Sequence, residues 1–209
     1  MKYALLLIFL PLFVFSQVSK PTPNPMALEL NKRAFKLLLV TSDRDVKANA
    51  KILNILDSAT NIDPKYNPAL TNKLRPLLSL KKYSLALETI KKAIKNNPED
   101  INLYIKEGVM YECFFSKKNQ AISSYKKAYD IILQKGQKKS NKISSYDQEL
   151  AYVLVFYKGK SAAINYLDKV SPKYKDQKNL KQISQLRQLI SGESLDCEGK
   201  KAVFNKFTT

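Results

Sequence analysis

The chain has 209 residues, with 36 Lys and Arg against 18 Asp and Glu, a formal charge of +18, and no histidine or tryptophan. Without histidine there is no Ser–His or Cys–His pair, no H-E-x-x-H zinc motif, and no unperturbed side chain that changes charge between about pH 5 and 8. Most familiar hydrolytic and zinc chemistries are therefore excluded, and two cysteines far apart make no metal set.

Met1-Lys2, the apolar run from Tyr3 to Phe15 and the small exit residue Ser16 have the pattern of a secretory signal peptide over residues 1–16. The run is interrupted by Pro11 and falls short of the roughly 20 residues that span a bilayer as a helix. A secreted or periplasmic location is expected, with no transmembrane segment after cleavage. Residues 17–26, with Pro21, Pro23 and Pro25, read as an extended linker.

From Ala27 onward, Leu, Ile, Ala and Lys dominate, and the whole chain holds five glycines, which predicts an all-α fold. Apolar residues three and four apart predict a helix over 27–40 and a second over 46–62, capped by Asp45 and stopped at Asp63-Pro64. Pro68 suits the first turn of a third helix, and Pro76 inside it predicts a kink or early break. Tyr83 to Lys95 follows, ended by Asn96-Asn97-Pro98. Glu99-Asp100 stand at the positive end of a helix from Ile101 to about Phe115, and Gln120 to about Leu133 returns. The lysine-rich stretch 134–145 reads as a loop between repeats or as a helical overhang. Tyr146–Tyr157, Ser161–Val170 and Asp176–Ser191 are the last predicted helices, and residues 192–209 are a tail.

A spacing recurs along these helices: Ala86-x3-Ile90-x2-Ala93-x4-Pro98, then Ala121-x3-Tyr125-x2-Ala128, and more loosely Ala163-x3-Leu167-x2-Val170. Small residues on one helical stripe admit a neighbouring backbone, and the larger residue between them fills the groove so made. Together with Leu74, Leu77, Tyr83, Tyr104, Gly108 and Tyr111, this pattern resembles the tetratricopeptide repeat family, whose units are helical hairpins of about 34 residues. The resemblance covers most of residues 27–191. It implies a right-handed superhelical array of three to four hairpins with a C-terminal capping helix.

In that family the first helix of each unit lines a concave groove that holds a peptide or partner helix. Carried over position by position, the groove would be lined by Asn102, Ile105, Val109 and Glu112 from one unit and by Gln148, Tyr152 and Phe156 from the next. Ile105, Val109, Tyr152 and Phe156 would be apolar anchors, and Asn102, Glu112 and Gln148 would orient the partner through hydrogen bonds. Stripes of this kind also serve as plain core. The Lys and Asn set with which some members hold a partner's C-terminal carboxylate is not assembled, since only Asn102 corresponds to it.

Two cysteines in an exported chain leave two readings: a disulfide joining Cys113 to Cys197, which would draw the tail over the groove, or a pair of free thiols. In the first, the tail with Phe204 and Phe207 would act as a built-in ligand. The carboxylate pairs Glu107 with Glu112 and Asp147 with Glu149 lack any accompanying sugar platform, and no enzyme or cofactor is expected. The functional expectation is a scaffold for a protein or peptide partner. The alternative is a basic surface that binds anionic envelope polymers or nucleic acid by charge. Its cations are mostly lysines, with Arg33, Arg44, Arg75 and Arg187 as the arginines, so bidentate readout would be scarce.

Overall fold

The structure is a computed structural model that describes residues 22–136, 145–192 and 194–205. The expected signal peptide, the first half of the linker, the centre of the lysine-rich loop and Phe207 lie outside the described residues. Among the described residues there are no strands, and no helix is long and apolar enough to cross a membrane.

Helices α1 (Pro25–Val40) and α2 (Val46–Ile62) form the first hairpin. Asn24 opens α1 by accepting the Met26 N–H at 2.9 Å, with Pro25 in the position where a missing amide proton costs nothing. Asp45 caps α2 through the Ala48 N–H at 2.9 Å. The carbonyl end of α1 is closed by Arg75, whose guanidinium donates to the Leu38 and Thr41 carbonyls at 2.7 Å each and pairs with Asp43. A cation is favourable at that end of the helix dipole.

The next ascending helix is divided into α3 (Asn67–Asn72) and α4 (Leu74–Ser79), with Lys73 at the break. The break falls before Pro76, not at it, because a proline lacks the amide that would bond the carbonyl four residues back, here Asn72, and its ring crowds that carbonyl. α5 (Tyr83–Asn96) completes this hairpin. α6 (Ile101–Cys113) and α7 (Lys118–Lys135) form the third, and α8 (Ser145–Tyr157) and α9 (Lys160–Val170) the fourth. α10 (Gln177–Gly192) ends the array, and a short helix α11 (Cys197–Lys201) runs into a 3-10 turn, Ala202–Asn205.

Each hairpin packs on the next as tetratricopeptide-like units do. The two helices of a pair lie together, the second contacts the first of the following pair, and successive first helices touch, as α1 with α3 and α6 with α8. The spacing seen in the sequence supplies this contact: Ala86, Ile90, Ala93, Ala121, Tyr125, Ala128, Ala163 and Leu167 are all buried. Gly108 allows a close approach, since a Cβ there would stand 2.2 Å from the Tyr125 ring. The described residues thus form an all-α array of helical hairpins followed by α10 and the short α11.

Two buried polar groupings fix helix register, one between units and one within the fourth hairpin. Asn31 donates to the Tyr66 hydroxyl at 3.3 Å and accepts from Asn72 at 2.9 Å, linking the first two hairpins. Asp147, at the start of α8 and 1% exposed, accepts the hydroxyls of Tyr166 and Tyr174. Burial, reinforced by this bond, drives the Tyr166 phenol well above its ordinary range.

Candidate functional site

The first helices of the third and fourth hairpins, α6 and α8, carry the seven residues expected to line a groove. Ile105 and Val109 are fully buried. They belong to the core and offer no surface, because α6 is surrounded by α5, α7, α8 and the C-terminal segment. Asn102 and Gln148 are exposed near the starts of their helices. Tyr152 and Phe156, one turn apart on α8, are half-buried with their rings 5.2 Å apart and nearly perpendicular. The Phe156 ring also meets Tyr125 of α7 at 5.7 Å. Loss of solvation pushes the Tyr152 phenol up to about 12.

Glu112 is the polar centre of this face. It accepts the Tyr125 hydroxyl at 2.8 Å and the ammonium of Lys200 through both carboxylate oxygens, at 2.6 and 2.7 Å. Lys200 comes from α11, so this face holds the chain's own C-terminal segment. One residue on, Cys113 is bonded to Cys197 at the start of α11, with the two Cα atoms 5.3 Å apart. Phe114 then takes the Phe204 ring edge-on at a centroid distance of 6.3 Å, and Tyr83 of α5 at 4.8 Å. The Lys201 ammonium lies over the same ring at 5.3 Å.

Local sequence builds the segment for this position. Asp196 caps α11 by accepting the Gly199 N–H at 2.9 Å, and that bond holds its carboxyl below the usual range. At Gly199 a Cβ would stand 2.0 Å from the Ser194 carbonyl oxygen, so the bend that brings residues 194–199 together needs glycine. The 3-10 turn reaches α4 and α6, burying Val203 and Phe204. On its other side the segment faces α8 and α10 across a cavity of about 250 Å³. The tail therefore lies across α4, α6, α8 and α10, the ascending helices of successive units.

Three of the four carboxylates weighed for chemistry have structural partners. Glu107 accepts the Ser124 hydroxyl at 2.8 Å, Glu112 holds Lys200 and Tyr125, and Asp147 sits beneath two tyrosines. Among the described residues no group of His, Cys, Asp and Glu is placed to hold a metal ion. Sequence reasoning missed Phe114, Lys200 and Val203 as parts of the site. Asp196 followed by Gly199 is the one local signal that a helix begins there.

No protein-family model matches the chain, and no curated protein matches it. Among solved structures it is similar to a crystal structure of MamA protein, at 17% identity over 70% of this chain and 72% of that one, with a TM-score of 0.43. It is also similar to MamA 41-end from Desulfovibrio magneticus RS-1, at 16% identity over 83% of this chain and all of that one, with a TM-score of 0.39. At this distance the likeness carries no function across, and the hairpin architecture rests on the packing described above.

Proposed function

We propose that the chain is an exported interaction scaffold whose ascending-helix face is a groove for a segment of a protein partner. The observation that carries this reading is the resident tail: a short helix with a cation on Glu112 and apolar side chains against Phe114 and α4 already uses that face as a ligand would. A protein partner would dock through the same elements, with Glu112 meeting a basic group and Tyr152, Phe156 and Phe114 taking apolar ones. The tail is then an occupant to be displaced. Tethered segments compete at millimolar effective concentration, so a partner of micromolar affinity gains the face only when the tail is released.

The test uses a full-length Cys113→Ser/Cys197→Ser/Lys200→Glu variant, whose own tail is untethered and repelled by Glu112. A fluorescent peptide of residues 194–205, with serine for Cys197, is titrated against it. Saturable binding that is lost with Phe114→Ala in the protein, or with Lys200→Glu in the peptide, supports the groove. Equal binding of a scrambled peptide, collapsing steeply as salt rises, would replace it with the charge-driven alternative.

A further inference from the structure

The cavity between α8, α10 and the C-terminal segment shares Tyr152 and Phe156 with the proposed groove and is bounded on its remaining sides by α10 and the tail. Tyr152, Val155 and Phe156 form one wall, Leu186 and Ile190 the second, and Val203 of the tail the third. The two aromatic rings are set edge to face, an arrangement that shapes a wall without closing it. The tail is fastened on its α6 side, by the Cys113–Cys197 bond and the Lys200–Glu112 pair, and so roofs the cavity instead of sinking into it. Leu189, 59% exposed and bordering the cavity, marks its mouth on the α10 side.

We infer that this cavity is a binding site for a compact, uncharged apolar molecule, roofed by the tail. Size sets the first limit. An apolar cavity of about 150 Å³ takes up benzene, so one of about 250 Å³ has space for a ring or chain of roughly ten non-hydrogen atoms. Charge sets the second. Lys200 also borders the cavity, but its ammonium is bound by both oxygens of Glu112, so an anionic head would compete with that carboxylate for the one cation at the wall. Both walls offer hydrocarbon and aromatic surface in helices that the array holds in place, which is how small-molecule sites are built.

This inference does not depend on the groove reading and is tested separately. Oxidised full-length protein with labelled Ile, Leu and Val methyl groups is titrated with n-butylbenzene and, in parallel, with 4-butylbenzoate, and methyl NMR follows the signals. The expected result is saturable one-to-one uptake of n-butylbenzene with shifts at Val155, Ile190 and Val203, and at least tenfold weaker uptake of the anion. Val155→Phe, which fills the cavity from α8, and Val203→Phe, which fills it from the roof, should each abolish uptake. The second keeps the test valid if the first unfolds the helix. An exposed-site control, Leu133→Ala, should bind as wild type does. Absence of saturable uptake by the wild type, equal uptake of the anion, or undiminished binding by a folded filling variant would overturn the assignment.

Discussion

Removing the disulfide tests how the tail is held, and its effect can be worked from the chain. Cys113 and Cys197 are 84 residues apart in sequence, and the loop they close contains α7 to α10. In the chain-entropy model, closing such a loop in the unfolded ensemble stabilises the native state by about 4.5 kcal/mol. For a chain of this size each kcal/mol moves the melting temperature by about 2 to 4 °C, so Cys113→Ala/Cys197→Ala should melt roughly 9 to 18 °C below the oxidised wild type. Circular dichroism at 222 nm provides the measurement, with reduced wild type as a second route to the same state. The loss should also be local. In a stack where each unit contacts its neighbours, amide exchange in α1 and α2, outside the loop, should change far less than exchange in α11 and α8. A melting shift below about 3 °C, or a loss spread evenly over all hairpins, would refute the reasoning.

Further outcomes follow from particular contacts. Gly108→Ala, which would gain about 1 kcal/mol in an open helix, should instead lose about 1 to 3 kcal/mol in urea unfolding, because its methyl meets the Tyr125 ring; Tyr125→Leu should restore most of it. Asp147→Asn should cost about 1 to 3 kcal/mol, since the amide offers one good acceptor to the hydroxyls of both Tyr166 and Tyr174. The buried phenols of Tyr125, Tyr152 and Tyr166 have folded pKa values raised above their unfolded value of 10.0. The unfolded chain therefore loses those protons first, and stability present below pH 10 should fall as pH rises from there through about 12, where Tyr152 ionises in the fold. A urea midpoint that stays level over that range would contradict their burial.

The helices were legible because their signals are local. Asp45 and Asp100 stand where they cap α2 and α6, Pro64 and Pro98 follow the ends of α2 and α5, and the Ala-Ile-Ala and Ala-Tyr-Ala stripes mark contact faces. Pro76 announced a break, but its place at Lys73 follows from which carbonyl the ring crowds. The site was less legible. Periodicity places Ile105 and Val109 on a stripe without saying whether solvent or protein covers it, and the close approach of α7 over Gly108, with α8 on another side, buries that stripe. The five residues of α11 are too short to show a helical period, and their position is set by Glu112, Cys113 and Phe114, more than eighty residues earlier. Contacts at that separation leave no local trace.

The most direct test of the central claim, that the C-terminal segment is fastened across the ascending helices, is peptide mass mapping of the unreduced protein after thiol alkylation. The account predicts one cross-linked pair of peptides containing Cys113 and Cys197, with neither cysteine alkylated until reductant is added. Two alkylated cysteines in the native protein would contradict it.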